Sequence, residues 1–167
     1  MTLAGKLRLA LFSALTLGIM CMIFLFSAQT ADLSNASSDG FLSSTLGAFL
    51  ARVLPSLSDM GLIHDIRKYA HMFEFCCLGM SSCLMFHEIF MRRGALAYAA
   101  PAWGMCLLYA CSDEIHQLFV EGRSCQLSDV GVDAIGFSIG IVLILFVIAA
   151  AARIKRHHGV NLYDRHH

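Results

Sequence analysis

The chain has 167 residues, 57% of them hydrophobic and 14% charged, with twelve basic residues matched by twelve acidic ones. A mean hydropathy of +0.67 lies outside the range of soluble domains and points to a polytopic membrane protein of single-domain length. Zero net charge leaves no electrostatic footprint for nucleic acid, which is set aside as a partner.

The first apolar element is the charge-free run Leu9 to Ala28, and about 20 such residues suffice to cross the hydrocarbon core. Lys6 and Arg8 precede it and Ala28-Gln-Thr-Ala31 imitates a cleavage site, so a removed leader is the competing reading. The run exceeds the roughly 7–15 apolar residues of such leaders, which favours an uncleaved first span. Residues 29–66 are more polar. Within them Phe41, Leu42, Thr45, Phe49, Arg52 and Val53 recur at mixed helical spacing before Pro55, which predicts a short amphipathic helix on the outer leaflet. A membrane-dipping connector without function fits the same pattern.

The second span is expected over Tyr69–Met91. Its centre, Phe75 to Phe86, is uncharged; His71 and Glu74 lie near one end, and His87 and Glu88 near the other. The latter two read as an interfacial pair on the cytoplasmic side. Gly94–Ser112 and Ala134–Ala152 complete the set. The expected fold is therefore all-α, a membrane bundle of four transmembrane helices in one domain, 1–152, followed by a basic cytoplasmic tail, 153–167, suited to anionic lipid.

Orientation follows from lysine and arginine. Lys6, Arg8, Arg92, Arg93, Arg153, Lys155, Arg156 and Arg165 fall on one side, against Arg52, Arg67, Lys68 and Arg123 on the other. Both termini are thus expected in the cytoplasm of a multi-pass cell-membrane protein. Of the seven cysteines, Cys21, Cys76, Cys77, Cys83, Cys106 and Cys111 sit in apolar runs and no C-x-x-C pair occurs. They read as small apolar packing residues rather than a zinc site or disulfide framework. Cys125 alone lies in a polar loop.

This topology brings the ionisable residues to one depth. His71 and Glu74 fall in the first turns of span two, Asp113, Glu114, His116 and Gln117 in the last turns of span three, and Asp129 and Asp133 in the first turns of span four. His71 with Glu74, Asp113 with His116 and Gln117, and Asp129 with Asp133 are spaced i, i+3 or i, i+4, which puts each of these sets on one helical face. Gly136 and Gly140 continue the face of Asp133 as a G-x-x-x-G pair that admits a close backbone neighbour. An ionised group facing lipid costs roughly 2.5 kcal/mol or more at the bilayer centre, so the cheaper arrangement turns all of them inward, into a polar site open to the outside. The bland alternatives are local. Asp113 or Asp129 would pair with Arg123, Asp129 would cap the fourth helix, and His71 would be a satisfied interfacial histidine.

Three stretches, "FLFSAQ", "RKYAHMFEFCCLG" and "YACSDEIHQLFVEGRSCQLSDVGVDAIGFSIG", resemble the motif regions of the VanZ-like family, from about Ile23 to Gly140. The resemblance implies site roles for Lys68, His71 and Glu74, and for Asp113, Glu114, His116, Gln117, Gly122, Arg123 and Asp129. Asp133 falls where the family often has Asn or Asp, and Glu121 replaces a proline common in relatives. The namesake lowers susceptibility to teicoplanin, a lipid-tailed glycopeptide, which implies envelope work without fixing a reaction.

Two function classes follow. In one, the site recognises a membrane lipid, a lipid-linked cell-wall precursor or a lipoglycopeptide, with Lys68, His71, Asp113, Gln117, Arg123, Asp129 and Asp133 as binding residues. Arg123 would hold phosphate or carboxylate by its planar fork. In the other, the protein is an intramembrane hydrolase or transferase with Glu74, Glu114 and His116 as acid and base. A divalent metal on a subset of His71, Glu74, Asp113, His116 and Asp129 is a further option for that chemistry. Transport is disfavoured because no inverted repeat or broken helix is visible.

Overall fold

The computed structural model describes residues 2–29, 66–91, 93–121 and 126–163, with only the backbone of 66, 67 and 155–163. The segment expected to form the amphipathic helix lies outside these residues, as do Arg92, Gly122, Arg123 and Cys125. Four α-helices make up the described chain: α1 (Leu3–Ser27), α2 (Ile66–Ile89), α3 (Leu96–Gln117) and α4 (Leu127–Tyr163). At about 1.5 Å per residue even α3 is roughly 33 Å long, comparable with a hydrocarbon core of about 30 Å. Two of them, α1 and the Leu127–Ile154 part of α4, are both long and apolar enough to cross a membrane.

Helix limits differ from the apolar runs in an instructive way. Thr2 caps α1 by accepting the Gly5 amide on its hydroxyl (3.2 Å), so helix begins before Lys6 and Arg8. Likewise α3 continues through Asp113–Gln117, and α4 opens at Leu127, seven residues before its apolar run. Polar side chains at these ends do not interrupt backbone hydrogen bonding; only the surroundings change. At its far end α4 passes straight through position 152 and carries the first part of the basic tail as helix.

Contacts between helices fix an up-down-up-down arrangement. The Tyr109 hydroxyl on α3 donates to the Met20 carbonyl on α1 at 2.5 Å, and Ser27 on α1 donates to Asp113 on α3, so α1 and α3 run parallel. Arg8 at the start of α1 meets Glu88 at the end of α2 (3.3 Å), so these two are antiparallel. Helices α2 and α4 are parallel and in closest contact, and glycine makes that possible. A Cβ on Gly136 would collide with the Met72 carbonyl oxygen, one on Gly140 with that of Cys76, and one on Gly79 with the backbone of Phe137. The expected glycine seam is therefore present, with Gly79 as a third member supplied by the facing helix.

The interior combines large apolar side chains, among them Ile23, Phe75, Leu78 and Phe137, with small and polar ones. Small or polar residues such as Ser27, Ser81, Ser82, Ala102, Cys106, Ala110 and Asp133 are buried. Meanwhile Leu7, Leu11, Leu15 and Leu25 of α1, Leu108 of α3, and Val142, Phe146 and Val147 of α4 are all about half exposed or more. Large apolar residues left on the outside in such numbers are the pattern expected when the surroundings are hydrocarbon. Ser81 and Ser82 satisfy their hydroxyls within α2, on the carbonyls of Leu78 and Gly79 (both 3.1 Å).

At the end of the bundle opposite Asp113, Glu88 and His87 do not form a pair with each other as the sequence suggested. Glu88 is buried and bound by Arg8, and His87 stands edge-on to Tyr98 of α3. Removing Arg8 leaves a buried carboxylate alone. Arg8→Ala is therefore expected to destabilise the protein by up to about 3 kcal/mol, the lower end for breaking a buried pair because Arg8 is half exposed. Arg8→Lys should recover most of that, as read from thermal unfolding in detergent.

Candidate functional site

The polar residues of α2, α3 and α4 meet at one end of the bundle, joined by two residues of α1. On the α2–α4 side the Lys68 ammonium stands 3.6 Å from Asp129, one helical turn above His71, whose Nδ1 is 3.9 Å from Asp133. These pairs follow directly from parallel packing on the glycine seam, which sets Lys68 and His71 beside Asp129 and Asp133 in the same register as Met72 and Gly136. Lys68 and Asp129 keep some solvent contact, so their pair contributes at most about 1 kcal/mol and serves mainly to orient the two side chains. At 3.9 Å, His71 and Asp133 are apposed without a hydrogen bond, and Asp133 is almost fully buried. A small group placed between them would bridge both.

On the α1–α3 side, Asp113 is buried and its Oδ2 accepts from the Ser27 hydroxyl (2.8 Å) and the Gln117 amide (3.1 Å). His116 stacks on Phe24 of α1 with ring centroids 4.4 Å apart. Glu114, also buried, accepts the backbone N–H of Gln126 at 3.0 Å and so ties the end of α3 to the start of α4. Among the described residues, three buried side-chain atoms at this end lack a hydrogen-bond partner: Glu74 Oε2, Asp113 Oδ1 and His116 Nε2.

A cavity of about 20 Å³, walled by Lys68, His71, Glu114, Gln117, Asp129, Val132 and Asp133, opens between these helices. It has room for about one water-sized group. Glu74, Asp113 and His116 are at the same end of the bundle but are not part of this wall among the described residues; Asp113 stands behind Gln117. All described site residues thus gather at one end of the bundle, but they divide between a cavity wall and a layer behind it. The local alternatives fare unevenly. Asp129 pairs with Lys68, and Asp113 with Ser27 and Gln117, while Arg123 lies outside the described residues. Among the described residues, no three His, Cys, Asp or Glu side chains come together as a metal site, so the five metal candidates do not form one set of ligands.

Sequence reasoning missed Ser27 and Phe24 as site residues. Two signals were available: both residues lie in the "FLFSAQ" stretch that resembles a family motif region, and a serine inside an apolar run needs a partner for its hydroxyl. The six described cysteines are free thiols, with Cys83 and Cys106 buried, and Cys106 lies 3.3 Å from the Ser82 hydroxyl.

The described chain is thus an all-helical bundle with a largely apolar exterior, two of whose helices are candidate membrane spans. Residues 12–149 match the VanZ/LLP1 family model, which covers most of the chain, and the protein belongs to that family. No curated protein and no solved structure matches it.

Proposed function

We propose that this is a four-span protein of the cell membrane with both termini in the cytoplasm, whose polar cluster binds the headgroup of an envelope lipid or lipid-linked cell-wall precursor from the outer face. The observation that carries this reading is the cavity walled by Lys68, His71, Asp129 and Asp133 at one end of the bundle. Within it the His71 Nδ1 faces the buried Asp133 carboxylate at 3.9 Å. Such a pair is costly to hold in a membrane unless it does something. A contribution to teicoplanin-type resistance fits the same site, because that glycopeptide also carries a lipid tail beside polar groups.

A second reading has one specific observation in its favour. A histidine and a carboxylate facing a cavity of one-water size are the parts of a general base, so a hydrolase or transferase acting on the same lipid is the runner-up. In this geometry His71 and Asp133 would carry that chemistry rather than His116, which is stacked on Phe24 away from the cavity wall.

The test is lipid carried through gentle purification, identified by mass spectrometry, for the full chain and for Asp133→Asn and Lys68→Ala. Binding predicts a defined lipid class that both variants lose while staying folded. Equal retention by both variants would remove the cavity from function. Turnover of the bound lipid by the unaltered protein, lost in His71→Asn, would promote the enzyme reading.

A further inference from the structure

We propose that Glu74 and Asp113 share one buried proton, carried by Glu74 and donated to Asp113, and that this proton locks α2 to α3. Neither residue borders the cavity, so the lock is separate from whatever the cavity binds.

Helix register brings the two carboxyls together. Phe75 of α2 packs on Tyr109 of α3 with ring centroids 6.1 Å apart, which leaves Asp113 about one turn beyond that contact. Side chains of a helix lean towards its amino terminus. In this antiparallel pair Glu74 therefore leans towards Asp113, and Asp113 towards Glu74. Asp113 lies within electrostatic reach of Glu74, and Tyr109 within reach of both.

Donors decide which carboxyl keeps its charge. Asp113 Oδ2 accepts from the Ser27 hydroxyl at 2.8 Å and from the Gln117 amide at 3.1 Å, and such donors favour a carboxylate. Glu74 Oε2 is buried and has no hydrogen-bond partner among the described residues. Two neighbouring carboxyls inside a bundle do not both ionise, and the proton goes to the one without donors.

The same proton completes the hydrogen bonding. Asp113 is 3% exposed, and its Oδ1 is a second buried atom without a partner among the described residues. As carboxylate oxygens, Glu74 Oε2 and Asp113 Oδ1 can only accept. A proton makes Glu74 Oε2 a donor, and Asp113 Oδ1 is the acceptor it needs, reached directly or through one buried water. One proton thus answers two deficits and removes one of two like charges.

The neighbouring groups do not offer a counter-charge in its place. Tyr109 of α3, Asp133 of α4 and Cys77 of α2 are within electrostatic reach of Glu74. From α1 come Cys21, beside Tyr109, and the Ser27 hydroxyl. His71, one turn back on α2, faces Asp133, and His116 stacks on Phe24. Lys68 stands against Asp129. Loss of the proton would set two charges against each other and remove the link between α2 and α3 at this level.

Infrared difference spectroscopy of the full-length protein in detergent tests the assignment, because a protonated carboxyl has a carbonyl stretch distinct from that of a carboxylate. Near neutral pH, the spectrum of the unaltered protein minus that of Glu74→Gln should contain one protonated-carboxyl band. With Asp113→Asn as the background the same difference should lack it, since an asparagine amide in the place of Oδ1 donates to Glu74 and lets it ionise. No band in the first difference would overturn the proposal. A band that persists on the Asp113→Asn background would also do so, because Glu74 would then hold its proton without Asp113.

Thermal unfolding against pH needs only the glutamine variant. Glutamine carries the N–H that copies the protonated carboxyl, so Glu74→Gln should melt no lower than the unaltered protein. Above about pH 4.3, where an ordinary glutamate has released its proton, the folded chain holds a proton that the unfolded chain has lost. Rising pH therefore costs the unaltered protein stability that the variant keeps, and the gap between their melting temperatures should widen. A gap that is constant with pH, or a Glu74→Gln that melts lower or misfolds, would refute the lock.

Discussion

Replacing Gly140 by leucine is expected to abolish folding of the bundle, and Gly136→Leu to do nearly as much. Even a Cβ at either position collides with a backbone carbonyl of α2, that of Cys76 or Met72. A backbone oxygen cannot swing aside as a side chain does, so relief requires α2 and α4 to separate. Overpacking a well-ordered core typically costs about 1–3 kcal/mol where flexible neighbours adjust. Here alanine should already reach that range, and leucine should exceed it. Separation of α2 from α4 would also draw Lys68 from Asp129 and His71 from Asp133, so any folded remnant should lose headgroup binding. Gly18 and Gly104 serve as controls because nothing lies within 4 Å of a Cβ built on either. Leucine at those two positions should leave the melting temperature near that of the unaltered protein. Size-exclusion profiles and thermal unfolding of all four variants in one detergent would check this, and a monodisperse, stable Gly140→Leu would refute the seam as the bundle's closest contact.

The seam is also where sequence reading worked best. Small residues spaced by four on an apolar helix have a meaning that depends on backbone approach alone, and this survives without knowing the partner. The gathering of the polar cluster at one end was legible for a similar reason. Once alternating helices are laid out, His71, Glu74, Asp113, His116, Asp129 and Asp133 have little freedom along the bundle axis. What sequence did not convey was rotation. Helix α1 is apolar around its whole circumference, so no periodic signal told which side faced the bundle. Ser27 and Phe24 therefore emerged as partners of Asp113 and His116 only in three dimensions. The same ambiguity hid Arg8 as the partner of Glu88. It also hid the division of the cluster, since placing residues at one depth does not say which of them borders a cavity and which stands behind it.

Asp113, which stands behind the cavity wall, has a structural role that substitution can measure. Asp113→Ala is expected to be among the most destabilising single changes at the site. Its Oδ2 is the shared acceptor of the Ser27 hydroxyl and the Gln117 amide, and both donors belong to buried residues. Truncation leaves two donors without an acceptor, at about 1–3 kcal/mol each, although the two losses need not add. Ser27→Ala removes one donor but leaves the carboxylate held by Gln117, so its cost should be lower, about that of one hydrogen bond to a charged group, roughly 1.5–3 kcal/mol. Asp113→Asn differs in kind. Its carbonyl oxygen can occupy the place of Oδ2 and keep both donors satisfied, while its amide nitrogen replaces the unpartnered Oδ1 and the negative charge is gone. Thermal unfolding should therefore rank the variants as alanine at position 113 worst, Ser27→Ala intermediate and asparagine close to the unaltered protein. A strongly destabilised Asp113→Asn would show instead that the charge of Asp113, and not merely an oxygen in the place of Oδ2, is what holds the Ser27 and Gln117 donors and with them the contact between α1 and α3.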